Sequence, residues 1–223
     1  MKKLSNIISV DYYKNILNKI KLYIETDFFD TINGTDTSRV SKSELFGNDK
    51  NFEYCNLHVP TFTSKIKSAL NALISLDKNI FDFNFVDLGS GKGKVIILAH
   101  KMGFKKIFGI EISPKLNEIC KNNLRKLGLN NIKIIEQDAT IMKVLPENSV
   151  FYFYNSFEKP ILNKVLDNIY QTLKNQKKIC YFVCIDLKSL VDFEKFQLDN
   201  KKFKLIHNDE IKPNPFSIYK MNL

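Results

Sequence analysis

"FVDLGSGKGKVIILAHKMGFKKIFGIEIS", residues 85–113, places glycines at 89, 91 and 93 straight after one run of β-formers and ahead of a second. Glycine loses more conformational freedom on folding than any other residue. Three within five positions therefore mark a backbone that must turn sharply or let something come close. The pattern predicts a strand at 83–88, a glycine turn, a helix over 93–103 and a second strand at 106–111. Farther along, apolar runs predict strands at 132–136, 149–155 and 178–186. Helical periodicity lies between them, over 114–127 and over 158–174, the latter with apolar residues at 161, 162, 165, 166, 169 and 173. Strict alternation with near-continuous apolar strands predicts a parallel sheet covered on both faces. After a short helix near 188–196 come "FKLIHND" (203–209) and "FSIYKM" (216–221). Their short Pro-containing connection predicts an antiparallel pair at the sheet edge.

Upstream of the quoted stretch, residues 11–25 carry apolar side chains at 12, 13, 16, 17, 20, 23 and 24, an amphipathic helix, and "TSKIKSALNALISL" (63–76) reads as a second one. Residues 30–60 are punctuated and aperiodic, a long loop or short elements, and loops of that length are usually functional or disordered. No repeat, low-complexity tract or linker interrupts the chain. The expected organisation is an N-terminal helical extension with an active-site loop over 1–80 and an α/β core over 81–223. That core is a three-layer sandwich with a mostly parallel seven-stranded sheet and an antiparallel edge hairpin.

A hydrophobic content of 44% with 12% aromatics suits a chain that buries a proper core. No apolar run approaches the ~18 residues of a membrane span. The opening "MKKLSNIISVDYY" lacks the apolar stretch and small-residue site of a signal peptide, so the expected location is the cytoplasm. Cysteines at 55, 120, 180 and 184 match no metal pattern. Cys180 and Cys184, four apart on a strand, are separated by roughly 13 Å of strand rise, too far for a disulfide. They read as core filler in a reducing compartment. The net charge of +10 raises nucleic acid as a partner. Only Arg39 and Arg125 are arginines, however, and a phosphate-reading surface would use arginine's planar fork. The lysine-, asparagine- and isoleucine-rich mixture is what an AT-rich genome produces, so nucleic acid is possible but not favoured.

In open α/β sheets ligands bind beyond the carboxyl ends of the strands, where strand order reverses. The first strand ends Asp87-Leu88-Gly89-Ser90-Gly91-Lys92-Gly93. A nucleoside triphosphate wants a longer loop ending Gly-Lys-Ser/Thr, but here Lys94 precedes Val95. A dinucleotide wants Gly-x-Gly-x-x-Gly, and Asp87 beside a pyrophosphate would repel it. A ligand with a positive centre and no phosphate fits better, and S-adenosylmethionine (SAM) has that chemistry: a sulfonium, an ammonium, a ribose diol and an adenine. Asp87 also reads as a turn or capping residue, Glu111 as part of the cap of the helix that begins at Ser113-Pro114, and Asp138 as an ordinary turn residue.

The glycine stretch resembles motif I of the class I, seven-stranded SAM-dependent methyltransferases. That resemblance implies that Gly89, Ser90, Gly91 and Gly93 line the cofactor together with Asp87. Glu111, ending the second strand, takes the ribose hydroxyls, with Ile112 beside it. Asp138 and Ala139, after the third strand, meet the adenine edge. Amine-directed relatives carry Asn/Asp-Pro-Pro-aromatic at the end of the fourth strand, where this chain has Asn155-Ser156-Phe157. The chain is similar over nearly its whole length to a group of uncharacterised bacterial methyltransferases with Asn-Pro-Phe there. The similarity runs through "GTDTS" (34–38), "VPT" (59–61), the SAM core, Asn155, Phe157 and the final "IYK" (218–220). It implies cofactor contacts from Thr37, Thr61 and Asn155, with Asn155, Ser156 and Phe157 facing the acceptor. Asp36 and Thr37 are the expected functional side chains of the upstream region. The chain departs from the group at Ser156, where proline is usual, and at His58, where tyrosine is. Serine keeps the backbone carbonyl but loosens the turn.

The stretch is also similar, over roughly 30 residues, to the core of non-SET histone lysine methyltransferases, which raises protein lysine as an acceptor. The expected reaction moves a methyl group from SAM to an amine nitrogen of a protein or small molecule, leaving S-adenosylhomocysteine. A nucleic-acid methyltransferase or a SAM-binding module without catalysis are the alternatives. Glu158, His58 or water are the possible proton acceptors. Phe157 equally reads as core, and Tyr152 and Tyr154 as packing residues on alternate sheet faces.

Overall fold

The structure, a computed structural model, describes residues 2–37, 61–142, 148–154, 156–176, 178–185, 193–195, 202–209 and 215–221. Its strands are β1 (Asn84–Leu88), β2 (Lys106–Glu111), β3 (Lys133–Glu136), β4 (Ser149–Tyr154), β5 (Cys180–Ile185), β6 (Phe203–Asp209) and β7 (Phe216–Met221). They form one seven-stranded sheet in the order β3-β2-β1-β4-β5-β7-β6. The first five pair in parallel. β7 runs antiparallel to both β5 and β6. The expected edge hairpin is present, with its second strand inserted next to β5.

The helices are α1 (Lys2–Glu25), α2 (Asp27–Asn33), α3 (Thr63–Leu76), α4 (Lys94–Lys101), α5 (Pro114–Lys126) and α6 (Lys159–Leu173). α1 extends well before the amphipathic stretch that signals it, and α2 occupies a region that reads as aperiodic. Seven residues are too few to establish a helical period. Among the described residues no helix is long and apolar enough to cross a membrane.

Because strand side chains alternate, each strand feeds two cores. On one face Phe85, Ile107, Val150, Tyr152, Val183 and Ile218 pack with residues of α3, α4 and α5. On the other, Val86, Leu88, Ile110, Phe151, Phe153 and Phe182 pack with α6 and Phe193. The result is three layers. Tyr152 and Tyr154 lie on the same face, contrary to the expected alternation, since two positions along a strand is one full period. Cys120 is buried in the first core and Cys180 and Cys184 in the second, all three as free thiols; Cys55 lies outside the described residues.

β1 sits between β2 and β4, so the chain leaves β1 toward one side and β4 toward the other. The crevice this opens is where such sheets bind ligands. Residues 89–93 and 156 border it.

Candidate cofactor and acceptor site

The glycine turn is hung on the end of β2. The N–H groups of Gly89 and Ser90 both donate to the Ile110 carbonyl, at 2.8 and 3.1 Å. Gly89 has φ +78, and a Cβ there would stand 2.6 Å from Ser156 Cβ. The turn thus runs against the chain leaving β4, and only glycine fits. Gly93, at φ +89, opens α4, and a Cβ on it would meet Cys120 Sγ at 2.5 Å. Gly91 donates its N–H to Glu111 Oε2 at 3.0 Å.

Asp87 is buried, and its Oδ2 has no hydrogen-bond partner among the described residues. Burial, then the neighbouring Glu111 charge, pushes its carboxyl well above the usual range. Strand register sets it between Gly109 and Tyr152. The Tyr152 hydroxyl is likewise buried without a hydrogen bond, as is Ser90 Oγ. Burial and then Asp87 raise the Tyr152 pKa; the buried Thr61 side chain opposes the rise, although the two hydroxyls do not meet hydrogen-bond geometry. Unpaired buried polar atoms are costly, and a carboxylate among them is relieved most by a cationic donor. The residues therefore fit SAM and fit a phosphate poorly. The helix-capping reading of Asp87 is not met.

Glu111 serves two roles at once. Its Oε1 accepts from the Ser113 N–H at 2.9 Å and its Oε2 from Gly91, so it does brace the start of α5. Each oxygen still has a second lone pair. Burial raises its pKa, and the N–H groups of Ser113, Gly91 and Ile112 oppose the rise. Asp138 caps the short turn Ala139–Ile141, its Oδ1 accepting from the Thr140 N–H at 2.8 Å, so the turn reading holds for it. Asn168 on α6 donates to the carbonyls of Ala139 and Met142, fixing that turn. Ile112 and Ile141 leave apolar surface exposed nearby along the chain.

The amino-terminal side is joined to the same turn by side chains that periodicity does not single out. Thr37 is buried, and its N–H and hydroxyl both donate to Asp30 at 2.8–2.9 Å. Asp36 pairs with Lys92 Nζ at 2.8 Å. Asn123 of α5 accepts from the Asp36 N–H at 2.9 Å and donates to the carbonyls of Asp36 and Lys92 at 2.7 and 3.0 Å. Lys94 donates to the Glu25 carbonyl and lies 5.1 Å from the Phe29 ring centroid. Burial pushes it down to about 8, against the pull of Asp30, Glu25 and Asp27. Both lysines of the glycine stretch are thus committed to the protein's own fold. The sequence pattern weighs Lys94 only as a phosphate binder and gives Lys92, Asn123 and Asp30 no role.

At the end of β4, Ser156 Oγ donates to the Tyr154 carbonyl at 3.3 Å. Phe157 is half-buried and packs against the second core, which favours its packing role. Lys65 Nζ lies 5.5 Å from the ring centroids of both Phe62 and Tyr154. Asn155 and His58 lie outside the described residues.

Such a sheet, with a glycine turn and buried acids at its switch point, defines a class I Rossmann-like architecture. The chain matches the family described as "Methyltransferase domain" over residues 82–204, more than half its length, and belongs to that family. Residues 82–204 are therefore a methyltransferase domain. A stretch of 74 residues, 33% of the chain, is 36% identical to an uncharacterized protein of Methanocaldococcus jannaschii, covering 26% of that relative. Another of 57 residues, 26% of the chain, is 35% identical to human EEF1A lysine methyltransferase 2, covering 24% of it. The matches thus span about a quarter of each relative's length. A solved SAM-dependent methyltransferase from Aquifex aeolicus has the same fold: TM-score 0.55, 17% identity, 72% of this chain and 98% of that one covered.

Proposed function

We propose that the chain methylates an amine nitrogen, on a protein lysine or a small molecule. Bound in the crevice, SAM supplies a methyl group already activated by its positive sulfur. Asp87 holds the cationic amino-acid end, because its buried, unpartnered oxygen gains most from a positive charge. Thr61, beside Tyr152, borders that end, and the backbone of Gly89, Ser90, Gly91 and Gly93 lines it. Glu111 accepts the ribose hydroxyls on its remaining lone pairs. Ile112, Asp138 and Ala139 bound the adenine. Thr37, tied to Asp30, holds its segment in place over the turn.

The observation that carries the acceptor class is Lys65. Its ammonium lies 5.5 Å from two aromatic centroids, one of them Tyr154, the residue before Asn155. This end of β4 therefore already accommodates an alkylammonium against ring faces, an attractive arrangement. The human relative is named as a lysine methyltransferase, which agrees in chemistry. A free amine of pKa near ~10.4 must lose its proton before it attacks. Asn155 accepts a hydrogen bond from the nitrogen and aims its lone pair, Ser156 keeps the end of β4 against the cofactor turn, and the proton leaves to Glu158, His58 or water. Alignment of nucleophile, methyl and sulfur is the enzyme's main contribution.

Labelling fractionated cell lysate with tritiated SAM and purified protein tests the acceptor class. Label is expected in protein or small-molecule amines; label confined to nucleic acid refutes the proposal. Asn155→Ala should leave SAM affinity nearly unchanged while lowering turnover by ~10²-fold, the scale on which misplaced reactants lose rate. Undiminished turnover in that variant removes Asn155 from the acceptor site.

A further inference from the structure

From Tyr12 to Ile24 the side chains of α1 are exposed, apolar ones included. At ~100° per residue, Tyr12, Tyr13, Ile16, Leu17, Ile20 and Ile24 fall on one arc of about 140°. Their exposures run from 36% at Ile16 to 65% at Tyr13. Tyr23 joins the arc, and its ring meets Phe28 of α2 at 6.4 Å, extending the stripe. Lys14, Asn15, Asn18 and Lys21 take the opposite side, with the exposed Leu22 among them. Helical stability in proteins comes mostly from packing an apolar face, and among the described residues Tyr12, Tyr13, Ile16, Leu17, Ile20 and Ile24 remain exposed. Monomers seldom expose contiguous apolar patches beyond a few hundred Å².

We propose that this face is a homodimer interface in which α1 pairs antiparallel with α1 of a second copy. The stripe is self-complementary, as a two-fold interface requires. With the axis crossing the stripe at the height of residue 18, Tyr12 opposes Ile24 of the partner subunit, Tyr13 opposes Tyr23 of the partner subunit, and Ile16 opposes Ile20 of the partner subunit. Only Leu17 lacks an apolar counterpart. Seven apolar side chains, each more than a third exposed, line this face for a second copy to cover. An anionic lipid surface is the weaker fit, since Glu25, Asp27 and Asp30 cluster where the stripe meets the domain. The helix is also firmly rooted: the Glu25 carbonyl accepts from Lys94, and Glu25 Oε2 from the Ser64 N–H at 3.0 Å.

Sedimentation velocity of the full chain across the micromolar range tests the pairing, with a dimer expected. Ile16→Glu combined with Ile20→Glu should give a monomer that still unfolds cooperatively and still binds SAM, because both positions are solvent-exposed within one chain. In a Cys55→Ser background, a mixture of Ile16→Cys chains and Ile20→Cys chains should cross-link on oxidation far more than either alone. A wild-type monomer throughout, a double variant that stays dimeric, or cross-links confined to like variants each overturn the proposal. So does a wild-type monomer that co-sediments with vesicles of anionic phospholipid, which would assign the face to lipid.

Discussion

The sheet side and the amino-terminal side of the glycine turn are held by different groups. On the sheet side backbone does most of the holding: Gly89 and Ser90 donate to the Ile110 carbonyl, and the flanking strands are apolar and buried. On the amino-terminal side single side chains do it: Asp30 gathers Thr35 and Thr37, Asn123 joins Asp36 to Lys92, and Lys94 reaches the Glu25 carbonyl. Backbone bonding survives most substitutions but forbids a Cβ at a few positions. A side-chain network tolerates many changes but opens where one member is lost. The two sides should therefore fail differently.

The largest effect is expected from Gly93→Ala. Holding a non-glycine residue at φ +89 costs ~1–3 kcal/mol. Forcing its Cβ against Cys120 Sγ adds ~1–3 kcal/mol of overpacking. Urea denaturation should report the combined loss, and SAM binding should fall with it. Adding Cys120→Ala should relieve the steric part and leave the backbone part. A single variant as stable as wild type would mean that neither the backbone at 93 nor the packing of α5 against the turn requires glycine there.

A smaller, local effect is expected from Asn123→Ala. The amide makes three hydrogen bonds, two to the Asp36 backbone and one to the buried Lys92 carbonyl, and leaving the latter unpaired costs ~1–3 kcal/mol. Hydrogen exchange should quicken at 35–37 and around Lys92 while amides of β1, β2 and β4 keep their protection. Equal acceleration in the strands would erase the distinction, making the two sides one cooperative unit.

The same contrast governs what was legible in the sequence. β1, the glycine turn and β2 announce themselves because apolar runs and clustered glycines are local signals. Asp87 and Glu111 could be placed at strand ends from those runs alone. That Glu111 ties the glycine turn to the start of α5 was not legible, because it depends on where the Gly91 and Ser113 N–H groups point. The Asp36–Lys92 pair spans 56 positions and Asn123–Asp36 spans 87, and no periodicity carries such a partnership. α2 was missed for its brevity. α1 was found only where its apolar spacing is regular in the sequence, from 11 onward, since the apolar residues at 4, 7, 8 and 10 do not continue that spacing.

The smallest effect, and the one that bears most directly on the amino-terminal side, concerns Lys94. Its pKa falls from 10.5 to about 8 on folding, chiefly through burial. Between those values the unfolded chain binds more protons than the folded one, so Lys94 makes folding more favourable as pH rises through that window. Below about 8 both states are protonated and the burial penalty is present in full. Lys94→Met keeps an unbranched apolar side chain, removes the buried ammonium and gives up the hydrogen bond to Glu25. Because apolar replacement of a buried charge is often neutral or better, the variant should lie within ~1 kcal/mol of wild type, or above it, near pH 7. From about pH 8 to pH 10 the wild type should gain on the variant, measured as the difference in their urea midpoints. A difference that does not move with pH would mean that Lys94 keeps an ordinary pKa. In that case the Glu25 contact is made at the surface rather than in a buried joint, and the amino-terminal side is held by Asn123 and Asp30 without it.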